Sequence, residues 1–488
     1  MKTMRKSMFK LYGLIVAMAL LASPVFAMDL ASHVSTAPNG NGDVLVYPLY
    51  LAGDGIATNF HIINSSDTRS VVAKVVLRSH KCSVEVLDFL IYLSPNDYFD
   101  AKIQFKDGKY VCTITDDSYV VDGESASAQN PKEYELFEPS CDTANYGYIE
   151  VIEAWSAVLP KKEDGTVAKL DIVDAYDGVD EITNADTVNV LSGFAEIVFP
   201  GVGDYADYNA VALNEYNNNQ ILQVNVLTIL GQGSNNSLCE VEAALAKNNL
   251  VIPYLNSDTA CTIPIFTFPT KIVGCDETVK TECNDLARGP FFQGDNLDPV
   301  YGIYYYDKEE HTRHLVCEVS PCPETPELNL DEEVNLISLA PPFDGGWLRA
   351  VFSQTTACNS LAGGNIVYTG APVMGLITEL TADGLSLITP AYDYGTVSYD
   401  GVDVTGAYQT QSTNEAGPGP GPEPIPQCGG LDDATCGATD GCTWNAFPPP
   451  GECLLDCGQF TDQTSCEAGL GGGCEWQTTP FGDVCVVK

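Results

Sequence analysis

The run Asp43-Val44-Leu45-Val46-Tyr47-Pro48-Leu49-Tyr50-Leu51-Ala52-Gly53-Asp54-Gly55-Ile56-Ala57-Thr58-Asn59-Phe60-His61-Ile62-Ile63-Asn64-Ser65-Ser66-Asp67 decides the fold class. β-branched and aromatic residues fill Val44 to Tyr47 and Thr58 to Ile63, and turn formers interrupt them at Gly53-Asp54-Gly55 and Asn64-Ser65-Ser66-Asp67. Ser70 to Leu77, Val84 to Leu93 and Tyr98 to Phe105 repeat the style, separated by Ser94-Pro95-Asn96-Asp97 and followed by Asp107-Gly108. Side chains alternate along a strand, so Val84-Glu85-Val86 and Asp100-Ala101-Lys102-Ile103 read as strands with one buried face. A mainly β fold follows: an antiparallel, Ig-like β-sandwich with few helices.

The style continues past Tyr146, with strands expected at Tyr148 to Trp155, Asn189 to Phe199, Ile221 to Leu230, Ile263 to Phe268, Tyr301 to Tyr306, Trp347 to Phe352 and Val373 to Leu380. One helix is expected from Leu238 to Lys247, where Leu238, Val241 and Leu245 fall on one stripe. The expected organisation is a sandwich domain over 43–135 and a second β-rich domain over 136–413, separate from or continuous with the first. From 414 to 427 the chain turns to alternating glycine and proline, Gly417-Pro418-Gly419-Pro420-Gly421-Pro422, a composition that favours an extended, semi-rigid spacer.

The chain has 488 residues, 66 acidic against 23 basic, and a formal charge of −43. Such a surface repels phosphate backbones and anionic lipid, which excludes nucleic acid as a partner. Lys2, Arg5, Lys6 and Lys10 precede an apolar run from Leu11 to Ala22 and then Ser23-Pro24-Val25-Phe26-Ala27, the order of a secretory signal peptide cut after Ala27. That run is too short for a transmembrane anchor, and 28–42 reads as a flexible N-terminal segment. Cleavage removes four of the 23 basic residues and none of the 66 acidic ones, which takes the charge from −43 to −47. The expected location is secreted, extracellular or cell-surface, with the periplasm as the alternative.

All 18 cysteines follow the cut, and an even number in an exported chain reads as a disulfide framework. Short separations suggest Cys239 with Cys261, Cys275 with Cys283 and Cys317 with Cys322. The region 428–488 is a duplication. Cys428, Cys436, Cys442, Trp444 and Cys453 are matched by Cys457, Cys466, Cys474, Trp476 and Cys485. Units this small bury too little surface to fold unaided, so the eight cysteines are expected in disulfides. The Cys-x-Trp signature resembles the plexin-repeat-like modules of extracellular proteins. In the body, Asn59-Phe60-His61-Ile62-Ile63-Asn64, Asp88-Phe89-Leu90-Ile91-Tyr92-Leu93-Ser94-Pro95-Asn96-Asp97 and Phe268-Pro269-Thr270-Lys271 resemble a family of uncharacterised secreted or cell-surface β-rich proteins of Gram-negative bacteria, over most of 43 to 400. That resemblance supplies neither catalytic residues nor a ligand.

Chemical motifs are sparse. There is no Gly-x-Ser-x-Gly elbow, and the five histidines are His33, His61, His80, His311 and His314. His61, inside a strand, reads as packed. His311 and His314 would share a face and grip zinc only on a helix, and the flanking sequence suggests a turn between strands. Gly201-Val202-Gly203-Asp204-Tyr205-Ala206 matches a dinucleotide fingerprint, but aspartates would face the phosphates and no βαβ unit surrounds it, so it reads as a tight turn. Asp171, Asp174, Asp177, Asp180, Glu181 and Asp186 form the densest acidic stretch, read as a loop, and Asp174, Asp177 and Asp180 are candidates for calcium. No other cofactor is expected. The functional expectation is a non-enzymatic structural or interaction protein that associates with other proteins or with itself, through strand edges or the cysteine-rich units. Glycan or ligand binding by an adhesin module is the alternative, and an extracellular hydrolase comes third.

Overall fold

A computed structural model describes residues 33–405, apart from short breaks and the longer segments 177–180, 183–187, 200–203, 217–221, 224–234, 272–288, 293–300 and 315–329. Beyond these it describes strands at 442–445, 452–455, 474–479 and 482–487. The fold is mainly β with antiparallel sheets. The chain divides into two units, Met1–Ser412 and Thr413–Lys488.

Two six-stranded sheets form the first half of the larger unit. The inner sheet runs Ser35–Thr36, Val211–Asn214, Val44–Leu51, Tyr146–Ala157, Ser70–Ser79, Glu85–Leu93. The outer sheet runs Lys132–Glu135, Lys109–Ile114, Tyr98–Lys106, Ala57–Asn64, Leu191–Phe199, Asp204–Asn209. Val44, Leu45, Tyr47, Val75 and Ile152 from one sheet and Phe60, Ile62, Phe99, Ile103 and Ile197 from the other share a single core. Twelve strands exceed the seven to nine of Ig-type sandwiches. The domain boundary expected at residue 135 falls inside the sheets: Tyr146–Ala157 is a central inner strand and Leu191–Phe199 an outer one. Antiparallel pairing recruits strands by face and register, and those lie on both sides of the expected boundary.

The two sheets differ in cover. Every residue of Ser70–Ser79 is buried, because the inner sheet meets the outer sheet on one side and later parts of the chain on the other. Thr267 Oγ1 donates to Pro48 O at 2.6 Å, and Glu333 N and Val334 N donate to His80 O at 3.0 and 3.1 Å. Helix α1, Lys169–Tyr176, adds to this cover, with Ile172 and Tyr176 buried. The expected acidic loop is therefore helical at Asp171 and Asp174. The outer sheet keeps its far face open. Phe99, Ala101 and Ile103 point into the core while Tyr98 is exposed and Asp100, Lys102 and Gln104 are half-buried, the alternation read from the sequence.

The second half of the unit packs three sheets around Phe266, Phe268, Phe292, Tyr305, Phe352 and Tyr368. Helix α2 spans Asn235–Leu245, slightly earlier than expected, and is tied to the strand Thr355–Asn359 by the disulfide Cys239–Cys358. The pairing of Cys239 with Cys261 is thereby corrected. Cys261 is a free thiol, as is Cys112 in the sandwich core, so the body is not disulfide-bonded throughout. Burial pushes the Cys112 thiol up to about 12. Cys275, Cys283, Cys317 and Cys322 lie outside the described residues.

In the second unit the repeats share one backbone plan. Cys442–Asn445 pairs with Glu452–Leu455, placing Trp444 opposite Cys453. Cys474–Thr479 pairs with Gly482–Val487, placing Trp476 opposite Cys485. Identical register at equivalent positions is what a duplication produces. Cys428, Cys436, Cys457 and Cys466 lie outside the described residues.

Candidate ligand-recognition site

The open face of the outer sheet carries the most distinctive chemistry. His61 pairs across the ladder with Asp100 on one neighbour and Phe194 on the other. One step along, Asn59 pairs with Lys102 and with Glu196. Period-two alternation brings all of these to the same face. The rings form a stack standing on the sheet: His61 to Phe194 at 4.4 Å and 25°, and His61 to Tyr98 at 5.3 Å and 27°. Gly193 makes room beneath, since a Cβ there would lie 2.0 Å from the Tyr47 hydroxyl, which donates to His61 O at 2.6 Å.

Tyr98 ends the stack and is 44% exposed. The neighbouring strand Lys109–Ile114 pairs only as far as Ala101, so among the described residues no strand flanks Tyr98 on that side. The middle ring is hidden: His61 is 8% exposed. Burial lowers its pKa below the ordinary value and outweighs the opposing pull of Glu196 and Asp100, so the ring is neutral near pH 7. Its Nε2 faces Glu196 Oε2 at 3.7 Å, while Nδ1 is hydrogen-bonded to the Tyr98 hydroxyl. Asn59 Nδ2 donates to Glu196 Oε2 at 3.4 Å. Partial burial, then Asp100 and Glu196, raise the Tyr98 pKa. A hydroxyl held in its neutral form is a poor nucleophile and a good hydrogen-bond donor and acceptor. The arrangement suits recognition.

The other sequence candidates do not gather here. His33 Nδ1 contacts Glu240 Oε2 on α2 at 3.1 Å. His80 stacks on Tyr146 at 3.8 Å, with Nδ1 3.0 Å from Asp142 Oδ1 and Nε2 3.6 Å from Glu332 Oε2. His314 ends the strand Thr312–His314, which pairs with Tyr304–Tyr306, and His311 lies outside the described residues. Asp174 sits on α1, while Asp177 and Asp180 lie outside the described residues. Among the described residues no group of three or more metal-ligating side chains is disposed to hold an ion. The glycine fingerprint joins two antiparallel strands paired at Phe199 and Asp204, so no helix N-terminus follows it to receive a phosphate. No helix of the described residues is long and apolar enough to cross a membrane.

A serine–lysine pair, absent from the sequence reading, does occur: Lys169 Nζ donates to Ser118 Oγ at 2.9 Å. Ser118 is 0% exposed, which leaves no path for an external substrate, and the lysine also contacts Asp97. That geometry is not a hydrolase site.

A second buried group has a pH signature. Glu242 on α2 accepts from the Tyr368 hydroxyl at 2.6 Å, Phe291 N at 2.8 Å and Thr270 Oγ1 at 2.9 Å. Burial outweighs these donors and raises its carboxyl from 4.5 to about 7. The folded state then binds a proton that the unfolded state releases, so this contribution is fully present below pH 4.5 and is lost as pH rises through about 7. Its size is about 3 kcal/mol. Denaturant titrations at pH 5 and pH 8 should show Glu242→Gln flattening the slope of the native protein. An unchanged slope would remove Glu242 as the cause.

Comparison with known proteins finds no matching family model, no matching curated protein and no matching solved structure.

Proposed function

We propose that this chain is an exported, extracellular or cell-surface binding protein that performs no catalysis and holds a saccharide ring against Tyr98 on the open face of its outer sheet. The observation that carries the reading is the Tyr98–His61–Phe194 stack with Asn59, Asp100 and Glu196 around it. A sugar presents a face of C–H groups that packs on an aromatic ring and an equator of hydroxyls that needs fixed acceptors. The stack supplies the ring, and the carboxylates and amide supply the acceptors. The signal-peptide pattern supports export.

Assembly through the sandwich edges has less support. Of the four edge strands, Ser35–Thr36 and Lys132–Glu135 have two and four residues, with Glu133 and Glu135 ion-paired to Lys106 and Lys109; Asp204–Asn209 has six, and on the nine-residue Glu85–Leu93 the edge is partly occupied, since Val86 O accepts from Phe137 N and Tyr92 N donates to Ser118 O. Short, charged or partly occupied edges discourage strand addition.

A glycan array probed with the purified mature chain tests the reading. Specific retention is expected for the native protein, and Tyr98→Ala should weaken it at least ~10-fold, the size of one lost aromatic platform. Native protein that retains no glycan, or retention indifferent to Tyr98→Ala, would overturn the assignment.

A further inference from the structure

Lys169, the first residue of α1, meets Asp97, which heads the outer-sheet strand Tyr98–Lys106. The side chains are 12% and 16% exposed, and Lys169 Nζ contacts Asp97 Oδ2 directly. Both partners are held in place. Asp97 Oδ2 accepts from Ser94 N at 2.7 Å and Ser94 Oγ at 3.1 Å, while Oδ1 accepts from Tyr98 N at 3.1 Å. Lys169 is fixed by its helix, anchored through Val167, Ile172 and Tyr176, with Tyr176 packed on Tyr92 and Trp155. Ser118 Oγ lies between the two groups, 2.9 Å from Lys169 Nζ and 3.3 Å from Asp97 Oδ2. Asp117 Oδ1, 65% exposed, stands 3.6 Å from the amine, and Asp116 holds Ser118 N at 2.7 Å.

We propose that Lys169 and Asp97 condense to an intramolecular isopeptide bond, a covalent staple between α1 and the turn that leads into the outer sheet. In the reaction the Lys169 ammonium gives a proton to the Asp97 carboxylate, leaving a neutral amine and a carboxylic acid. The nitrogen lone pair attacks Cγ, and a C–N bond forms as one carboxyl C–O bond breaks. The departing oxygen leaves as water, taking up the second amine proton, which Ser118 Oγ is placed to relay. Lysine amine and aspartic acid give amide and water, with no oxidant, metal or activated donor.

Three features favour this over a lasting ion pair. Burial lowers the Lys169 amine to about 7, so the nucleophilic form is well populated near neutrality. The donors on Asp97 polarise its carboxyl group, and fixed contact replaces a bimolecular encounter by an intramolecular one. With the two side chains only 12% and 16% exposed, limited access of bulk water slows the reverse hydrolysis. Ser118, which cannot serve an external substrate, then acts as a positioning and relay group for an internal one.

Peptide mass spectrometry of the full chain, reduced, alkylated and digested with trypsin, tests the bond. Peptide 82–102, which carries Asp97, is expected joined to the peptide beginning at Glu163, at their summed mass less one water, with no cleavage after Lys169. Lys169→Arg, whose guanidinium does not form this amide, should return peptide 82–102 alone. The native spectrum decides even where that variant folds poorly: a free peptide 82–102 together with cleavage after Lys169 would overturn the proposal.

Discussion

Replacing Cys239 with serine should lower the stability of the second half of the body by about 5 kcal/mol, the denatured-state entropy released on opening a loop of this length. The disulfide spans 119 residues and joins α2 to the strand Thr355–Asn359. Few single changes release so much chain at once. Leu238, Val241 and Leu245 keep the helix in its apolar seat without the bond, so the expected outcome is a shifted denaturant midpoint with a largely retained β signature. Native protein treated with reductant should shift to the same degree. A midpoint unmoved by either treatment would show that packing alone sets this stability.

Arg78→Met should destabilise the larger unit by about 3–5 kcal/mol, because it removes the cation beside a carboxylate that water cannot reach. Arg78 is 3% exposed and its Nη2 lies 3.5 Å from Glu150 Oε2 and 3.7 Å from Glu85 Oε2, while Nη1 donates to Ser83 O at 3.2 Å. Burial is the largest single influence and works against the guanidinium, but Glu150, Tyr148 and Glu85 together outweigh it and hold the pKa above the ordinary arginine value. Glu150 is 0% exposed, so the lost cation has no solvent substitute. The double variant Arg78→Met, Glu150→Leu should recover most of the loss, since two apolar residues of similar volume fill the site without a buried charge. Urea titration of the native protein, both single variants and the double variant gives the coupling energy. A double variant as unstable as Arg78→Met would mean that the arginine acts through packing of its stem.

Strand content was legible because alternation is a local property. Tyr98, Asp100, Lys102 and Gln104 face outward as the sequence suggests. The site was less legible. Reading His61 as packed agrees with its burial, yet its neighbours come from 37 residues away at Tyr98 and, for the Asn59–Glu196 contact beside it, from 137 residues away. An aromatic at every second position looks the same whether it fills a core or stands on an open face. Only the register of Leu191–Phe199 against Ala57–Asn64 separates the two.

The cysteines make the same point. Short separation favoured Cys239 with Cys261, because nearby residues meet most easily in an unfolded chain. In a sheet-based fold, distance along the chain says little about distance in space, and α2 crosses to a strand more than a hundred residues on.

From the amino-acid order alone came the β class, the composition break before the cysteine-rich region and the duplication within it. Each rests on patterns that can be read along the chain without knowing which strands pair. Which sheet is covered on both faces, which rings stack in the open and which lysine meets which aspartate were decided by the tertiary structure. Those outcomes depend on how all the strands pair at once, and a one-residue slip in any ladder would send the same side chains to the opposite face.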